Sequence, residues 1–514
     1  MRNPLNLRNT ASAARYLATY VENRFARENP FPTRSRRTVD PWPTLAGSRE
    51  LLPAPHLPAQ PAAAACYWRC WEIAFANFRH ATNENGFISD YSSTMWDDAL
   101  FIWDSVFITL FGRYGDRAWK FQNTLDNFYA KQHPDGGICR QLRELDGSEV
   151  FSRFDPAGSG PNLLAWSEWE FYRFRGDRGR LADVFFPLAA HAAWHRRYRT
   201  WPNGSYWGTG WATGMDNQPR TPAGAHLWFD HGHRTWVDTN LQAVFNNRLL
   251  VKIAAELGRE EEVLEATTEN SALIPWINQH LWDEETGFYH DLRRDQTRTT
   301  ELKTIGAYWA LLADVVPRER LDRFVQHLES NSEFRRVHRV PSLSADTPGF
   351  DPDGGYWLGG VWAPTNYMVL RGLTERGYHD LAYTIAENHF QNVMASFEAT
   401  ESIWEHFAPD SEGEGRGRHD FVGWTAITPI AVLFEYVIGL RSEAVRGELC
   451  WDVRRLDEHG VHRYPFGGQG SVDLVCEARA SIHERPKLRV KSNVPLKLRL
   501  IWAGGEDVIE VQPS

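Results

Sequence analysis

The sequence predicts a mainly helical protein, a closed ring of helical hairpins followed by a small β module. Between residues 62 and about 440, apolar residues recur at spacings of three and four, which is typical of helices. After that point, short runs rich in β-branched residues alternate with Gly and Pro, which is typical of strands. We therefore expect an N-terminal arm (1–61), a helical catalytic domain (62–440) and a β module resembling a small sandwich (441–514).

The N-terminal arm is expected to lack regular structure over most of its length. A short helix is predicted at about residues 11–27, and a Pro-rich stretch follows as far as Pro61. Proline inside a helix removes a hydrogen bond and clashes with the preceding turn. We expect this stretch to wrap the body of the protein.

The helical part contains roughly a dozen predicted helices, most of them 10 to 20 residues long, joined by loops rich in Gly, Pro, Trp, Asp and Asn. Several helices are apolar nearly all round, which predicts a buried inner layer. A helical solenoid would show the same periodicity. However, no repeat of fixed length is visible and the loops are long and varied, which favours a closed ring with a pocket among its long loops.

Composition narrows the class of function. The 514 residues include 23 Trp, and indole rings stack on the apolar faces of sugars, which mildly favours a carbohydrate ligand. The net charge is -10 without a long Lys/Arg run, so no nucleic-acid partner is expected. Neither a membrane-length apolar run nor a signal-peptide-like start is visible, so we expect a cytoplasmic protein with no membrane partner. Five cysteines show no disulfide or metal pattern, so no metal or cofactor is expected, and homo-oligomerisation is left open.

Asp216 is the first candidate for a catalytic carboxylate. It lies in the stretch GTGWATGMDNQPR (208–220), where three glycines permit tight turns. Trp211 offers a stacking surface of low dielectric, which raises the pKa of a carboxyl, and Asn217 and Arg220 can bind hydroxyls. The alternative is an Asp that makes only a turn hydrogen bond. Residue chemistry alone leaves the two interpretations even.

A second carboxylate is expected in the acidic segment at 401–417. Glycosidic bonds are hydrolysed by paired carboxyls: one protonates the leaving oxygen and, in inverting enzymes, the other activates a water on the opposite face of the sugar. Glu405 is flanked by Trp404 and His406, so we expect it to be enclosed, whereas Glu401 lies four residues away. Residue chemistry does not decide between the two glutamates.

Further sugar-binding candidates lie in three other stretches. These candidates are Trp96, Trp103 and Asp104 in residues 94–107, Gln132 in residues 131–137, and Tyr356, Trp357 and Trp362 in residues 354–373. Trp404 and His406 join them from the segment of the second carboxylate. Core packing is the commoner role of any single Trp, but for the whole set we expect several sugar contacts.

Four of these motifs, in their order along the chain, resemble glycoside hydrolase family 63 and its mannosylglycerate hydrolase-like branch. They are WDDALFIWDSVF, ATGMDNQPR, YWLGGVWAPTNYMVLRGL and WEHFAPDSEGEG. More distantly, the chain is similar to trehalase-type enzymes. The resemblance implies an (α/α)6 barrel, an inverting mechanism and an acid–base pair of carboxyls.

The resemblance also implies roles for single residues. The family's acid motif, Ser-Gly-x-Asp-x-x-Pro-Arg, is matched at 213–220 with Thr in place of Ser, which makes Asp216 the general acid. The base motif, Glu-Asn-Tyr-x-Pro, is matched at 405–409 and makes Glu405 the base, although His406 and Phe407 differ from it. Leu358 stands where the family commonly has Arg, which counts against an anionic aglycone such as glycerate.

We therefore expect an inverting, exo-acting α-glycoside hydrolase of a small glycoside or oligosaccharide, of α-glucosidase or glucosyl- or mannosylglycerate hydrolase type. A sugar isomerase or epimerase on a helical barrel is one alternative. It would use histidines in the pocket, for which HGH (231–233) and His406 are the hints. A non-catalytic sugar-binding protein is another, and it would have lost one carboxylate, whereas this chain has both.

Overall fold

The structure, a computed structural model, describes residues 23–152, 154–421 and 423–513. The helix expected at 11–27 falls largely outside these residues, and its last part is a single turn, Arg24–Arg27. The longer helices are α1 (Pro61–Ala76), α2 (Ile102–Gly112), α3 (Leu164–Arg175), α4 (Arg178–Tyr198), α5 (Val237–Leu257), α6 (Leu264–His280), α7 (Arg318–Gln326), α8 (Ala363–Glu375), α9 (His379–Thr400) and a π-helix (Thr428–Ile438). None of the helices in the described ranges is long and apolar enough to cross a bilayer.

Six helical segments form the inner ring. They are α2, α3, α5, the short helix Trp309–Leu312, α8 and the π-helix; each packs on the next, and the π-helix packs back on α2. Every residue of α2 and of the π-helix is buried, as their almost wholly apolar sequences require.

Six further segments form the outer ring. They are α1, the turn Phe121–Leu125 with the helix Asp126–Ala130, α4, α6, α7 and α9. The inner and outer segments alternate along the chain. The prediction of an (α/α)6 barrel is confirmed.

The β module contains two four-stranded sheets. Its strands are β1 (Ala54–His56), β10 (Leu440–Glu443), β11 (Glu448–Asp452), β12 (His459–Phe466), β13 (Gly470–Cys476), β14 (Leu488–Ser492), β15 (Leu496–Trp502) and β16 (Gly505–Val511). One sheet has the order β1-β12-β13-β14 and the other β10-β11-β15-β16. Neighbouring strands are antiparallel except for the parallel pair β11 and β15. The arm thus supplies an edge strand, since β1 pairs with β12 from Ala54 opposite His462 to His56 opposite Gly460.

The described part of the arm lies against the barrel. The Phe31 ring packs on Tyr129, with ring centroids 5.0 Å apart. Trp42 packs on Trp119 at 5.2 Å and on the imidazole of His80 at 3.8 Å. These contacts place the arm against the outside of the helical barrel before it enters β1.

The two ends of the barrel differ in chemistry. After the C-terminus of α2, the Arg113 guanidinium donates to Glu170 at 3.2 Å and to Glu435 at 2.5 Å, and these groups are buried. Arg371 adds two hydrogen bonds to Glu170. This buried charge network faces the β module. The N-terminal end of α2 carries Trp103 and Asp104, and the long loops gather there around a cavity.

Four two-stranded sheets shape these long loops. They pair β2 (Phe78–Arg79) with β3 (Tyr91–Ser92), β4 (Ala99–Phe101) with β5 (Gln141–Arg143), β6 (Trp282–Asp283) with β7 (Phe288–Tyr289), and β8 (Trp404–Phe407) with β9 (Gly415–His419). The last of them carries Glu405.

Candidate active site

A cavity of about 400 Å³ opens among the long loops. Its wall includes six tryptophans, which are Trp96, Trp103, Trp211, Trp228, Trp357 and Trp424. Three carboxyls, those of Asp97, Asp104 and Asp216, line it together with the guanidinium of Arg140. Aromatic walls with a few convergent polar groups are typical of small-molecule sites.

The loop that carries Asp216 is fixed from both sides. Thr209 caps the turn Gly210–Thr213 by accepting a hydrogen bond from the amide of Ala212. Gly214 then adopts a left-handed φ of 74°, and a Cβ there would lie 3.0 Å from the indole of Trp103. Only glycine permits this conformation at no cost. The chain therefore turns sharply and presents Asp216 to the cavity.

Downstream of Asp216, the side chains of Asn217 and Gln218 tie the loop to its surroundings. Asn217 accepts from the amide of Trp357 at 2.8 Å and donates to the carbonyl of Gly355 at 3.0 Å. Gln218 donates to the carbonyl of Ser342 at 2.8 Å. The loop of Asp216 and the loop around residue 356 are therefore held in fixed positions relative to each other.

Arg220 is a fully buried anchor of the same loop. Its guanidinium forms bidentate pairs with Asp238 (2.7 and 2.9 Å) and with Asp291 (2.9 and 2.7 Å). It also lies over the ring of Trp236, 4.1 Å from the centroid. All three charged side chains are completely buried. Arg220 is therefore a structural residue, and it does not reach the cavity.

The environment of Asp216 favours its protonated form. Burial raises the pKa of Asp216 to about 6, although the charge of Arg140 and a hydrogen bond from Tyr356 oppose this rise. The Tyr356 hydroxyl donates to Oδ2 of Asp216 at 3.2 Å. Burial and the neighbouring carboxyls raise the pKa of Tyr356, so its hydroxyl keeps its proton. Asp216 is thus poised to release a proton near neutral pH.

Glu405 lies in β8, where a register shift between Trp404 and His406 interrupts the pairing with β9. The amide of Arg418 donates to its Oε2 at 3.1 Å. Its Oε1 is buried and has no hydrogen-bond partner among the described residues. Burial raises the pKa of Glu405 to about 7, and the charge of Asp216 contributes to the rise. The two carboxyls are therefore electrostatically coupled.

Asp104 is a third buried carboxyl of this group. Burial raises its pKa well above the usual range, and the charges of Glu405 and Asp216 add to the rise while Arg140 opposes it. Its Oδ1 and the indole nitrogen of Trp103 are both buried and make no hydrogen bond within the described ranges. Polar atoms of this kind at a cavity wall are suited to sugar hydroxyls.

Behind the cavity wall stand three stacked rings. Trp357 stacks on Trp362 with centroids 4.0 Å apart and an angle of 3°, and Trp362 stacks on His406 at 4.4 Å and 11°. Burial lowers the pKa of His406 to about 3, so this imidazole is neutral. Of the three, Trp357 lines the cavity. The stack supports both the Tyr356 loop and the strand of Glu405.

This geometry agrees with a family comparison. Residues 99–425 match the model of the mannosylglycerate hydrolase MGH1-like glycoside hydrolase domain. The chain belongs to this family. The matched range contains both candidate carboxyls, and the resemblance read from the sequence motifs is confirmed.

Relatives of this glycoside hydrolase include enzymes of two named activities. A mannosylglycerate hydrolase of Rubrobacter radiotolerans is 31% identical over 192 residues, which are 37% of this chain and 41% of that protein. A probable mannosyl-oligosaccharide glucosidase of Schizosaccharomyces pombe is 26% identical over 281 residues, which are 48% of this chain and 34% of that protein. The chain thus aligns with less than half of the length of each of these two relatives.

A solved structure shares the fold. The family 63 mannosylglycerate hydrolase of Thermus thermophilus, in complex with glucose, superposes with a TM-score of 0.58. The match covers 71% of this chain and 99% of that one, at 21% sequence identity. It supports the barrel assignment independently of the packing described above.

The structure separates the predicted site residues of this glycosidase into two groups. At the cavity lie Trp96, Trp103, Asp104, Trp211, Asp216, Tyr356 and Trp357. Glu405 belongs with this group because the charge of Asp216 helps to raise its pKa.

The other predicted residues serve the framework. Gln132 lies away from the cavity, because its amide donates to the carbonyls of Gly136 and Pro187 and accepts from Asn29. Trp404 donates to the hydroxyl of Thr400. Asn217, Arg220, Trp362 and His406 act through the contacts described above. Their polar or aromatic groups contact other parts of the protein.

Arg140 and Trp228 are two of the cavity residues that escaped sequence reasoning. Arg140 donates to the carbonyl of Trp211, and its guanidinium lies 4.9 Å from the Trp211 ring. Trp228 stacks on the same ring, with centroids 5.5 Å apart and an angle of 20°. Both reach the cavity from segments outside the motifs, so no local signal marked them. A search for Trp and Arg in every long loop would have included them.

Proposed function

We propose that the chain is an inverting, exo-acting α-glycoside hydrolase of a small glycoside or oligosaccharide, with Asp216 as the general acid and Glu405 as the general base. One observation carries the proposal. Asp216 lines the cavity, the enclosed carboxyl of Glu405 is electrostatically coupled to it, and burial raises both pKa values into the neutral range. Paired carboxyls of this kind serve glycoside hydrolysis. Loops surround the cavity at one end of the ring, which favours release of a terminal sugar unit.

In the proposed reaction, Asp216 gives its proton to the glycosidic oxygen while the bond to the anomeric carbon breaks. The Tyr356 hydroxyl holds Oδ2 of Asp216 and fixes the direction of the carboxyl. Glu405 takes a proton from the attacking water through Oε1, since Oε2 is occupied by the amide of Arg418. Attack from the face opposite the leaving group gives a product of inverted anomeric configuration.

The pKa values of the two carboxyls, about 6 for Asp216 and about 7 for Glu405, lie close together, so the pair titrates as a coupled unit. The reactive form has the proton on Asp216 and a negative charge on Glu405. The pair is therefore active over the pH range in which it holds one proton.

Several observations count against the alternative classes. The described part of the cavity wall contains no histidine, and His406 is neutral and stacked behind that wall. His231 and His233 pack on Trp201 rather than at the cavity. A sugar isomerase or epimerase would use histidines as acid and base in the pocket. A sugar-binding protein has no need of a coupled carboxyl pair.

Anomeric proton NMR tests the proposal. Wild type would act on α-glucosides, α-mannosides and glycosylglycerates, beside Asp216→Asn and Glu405→Gln, which keep the size of each side chain. Inversion gives the β-anomer first. Asp216→Asn should retain hydrolysis of the matching α-glycosyl fluoride, whose leaving group needs no proton, whereas Glu405→Gln should lose it. Early appearance of the α-anomer means retention and excludes Glu405 as a water-activating base.

A further inference from the structure

The leaving-group side of the cavity can be identified from the proposed roles. The acid protonates the leaving oxygen, so the leaving group lies beside Asp216, and the water lies beside Glu405 on the opposite face. On the acid side, a Cβ at Gly210 would lie 2.3 Å from the carbonyl oxygen of Asp216 and 2.6 Å from that of Leu227. The segment that follows Leu227 therefore runs directly against the acid loop.

That segment carries an exposed aromatic surface. Trp228 is 40% exposed and Phe229 is 39% exposed, which is unusual for side chains of this size. Trp228 lines the cavity and stacks on Trp211, and Phe229 packs edge-on against Trp211 with centroids 4.6 Å apart. An apolar surface left open at the mouth of a site indicates a ligand that covers it.

The backbone holds Trp228 in place. Its amide donates to Nδ1 of His226 at 3.3 Å, and its carbonyl accepts from the amide of Trp211 at 3.1 Å. The guanidinium of Arg140 lies 4.9 Å from the centroid of the Trp211 ring and donates to the Trp211 carbonyl. The indole pair is thus set before a ligand arrives, which lowers the entropic cost of binding.

Charge disfavours an acidic leaving group. The carboxyls of Asp97, Asp104 and Asp216 line the cavity, against the one guanidinium of Arg140 among the described lining residues. The charge of Arg140 is set against Asp216 and Asp104, which are its main electrostatic neighbours. Among the described lining residues, a carboxylate of the leaving group would therefore meet one cation, Arg140, which already serves the acid and its neighbour. A neutral pyranose ring has an apolar C–H face that suits an indole.

We propose that Trp228, stacked on Trp211, forms the leaving-group subsite, and that the leaving group is a neutral pyranose ring, so that the substrate is an α-linked disaccharide or a longer oligosaccharide. This inference rests on the proposed function, which places the leaving group beside Asp216. Trp228 is then a determinant of specificity for the part of the substrate that departs.

The test compares two substrates with the same glycone, an α-linked disaccharide and the α-glycosyl fluoride, which has no ring to stack. Trp228→Ala should lower kcat/KM for the disaccharide roughly 10- to 100-fold, as truncation of a large aromatic anchor does. The value of kcat/KM for the fluoride should stay within about twofold of that of wild type. The fluoride has no ring at this subsite, and the binding of the glycone is unchanged. Trp228→Phe keeps a flat ring and should recover most of the loss.

Trp276→Ala is the matched control, because Trp276 lies half-buried on the outer helix α6 and stacks on His280. It should change neither substrate. If Trp228→Ala loses kcat/KM equally on both substrates, or loses none on the disaccharide, the proposed leaving-group subsite is overturned. A wild-type preference for a glycosylglycerate over the disaccharide of the same glycone would overturn it as well.

The two proposals can fail separately. Absence of hydrolysis by wild type overturns the proposed function. Calorimetric titration of the disaccharide into wild type and Trp228→Ala then tests the proposed leaving-group subsite without any turnover. An affinity at least tenfold weaker in the variant supports the subsite, and a smaller difference overturns it.

Discussion

Gly417 controls the position of the proposed base. This residue of β9 has a left-handed φ of 76°, and a Cβ built on it would lie 2.3 Å from Oε2 of Glu405 and 3.0 Å from Nδ1 of His406. Gly417→Ala therefore forces the carboxylate out of its place beside the amide of Arg418. The strand cannot move away easily, because it is hydrogen-bonded to β8, the strand that carries Glu405.

The size of the effect follows from the geometry. A carbon and an oxygen in contact normally stay about 3.3 Å apart, so the carboxylate must move by roughly 1 Å. A misplacement of about 1 Å costs on the order of 100-fold in rate. The left-handed backbone adds about 1–2 kcal/mol of destabilisation for any residue with a Cβ. We expect kcat to fall about 100-fold with little change in KM.

Gly447→Ala separates the two contributions. Gly447 has a similar φ of 69°, and no heavy atom of the described residues lies within 4 Å of its would-be Cβ. Urea unfolding should show a loss of about 1–2 kcal/mol in both variants, whereas only Gly417→Ala should lose activity. A kcat for Gly417→Ala within about threefold of wild type would refute the positioning of Glu405 by this glycine.

Two other predictions concern titration and burial. kcat/KM should be bell-shaped in pH and highest between the pKa values of about 6 for Asp216 and about 7 for Glu405. It falls at lower pH because Glu405 is protonated and at higher pH because Asp216 has lost its proton; a flat profile from pH 5 to 9 would contradict this. Arg220→Met should cost about 3–5 kcal/mol of unfolding free energy, because it leaves Asp238 and Asp291 buried without their cation.

The loss of unfolding free energy in Arg220→Met also depends on pH. Burial alone would raise the pKa of Asp291, but Arg220 outweighs it and lowers that pKa, so the ion pair stabilises the protein above the ordinary carboxyl pKa. The variant's deficit in urea should therefore be larger at pH 7 than at pH 3, because the ordinary pKa of an Asp is about 3.9. Arg499→Met is the control, since its pair with Glu506 is more than half exposed and is worth under about 1 kcal/mol.

Much of the architecture was predictable, because apolar periodicity reports burial directly. The apolar periodicity between residues 62 and about 440 coincides with helices of the barrel, among them α4, α5 and α9, and the β-branched runs after residue 440 coincide with the strands β11 to β16. Helix α2 was read as a binding motif instead. Its nearly continuous apolar run has no period, since every side of an inner helix is buried.

The site was predictable to the extent that its residues share a local motif. Asp216 and Trp211 belong to one loop, and the structure places both at the cavity. Gln132 and Arg220 could not be assigned correctly, because their partners lie far along the chain, at Pro187 and Asp291. The same holds for Trp228, whose exposure depends on tertiary packing. The catalytic roles of Asp216 and Glu405 stay predictions.

The pairing of β1 with β12 has a consequence for the order of events during synthesis. His56 in β1 bonds to Glu458, which lies 402 residues later, just before β12. A ribosome therefore makes the edge strand first and its neighbour only after the whole barrel has emerged. Contacts so distant in sequence form slowly. The pairing of β1 thus waits until the barrel has been made, and a chain cut short anywhere in the barrel leaves β1 an unpaired edge that can add to other sheets.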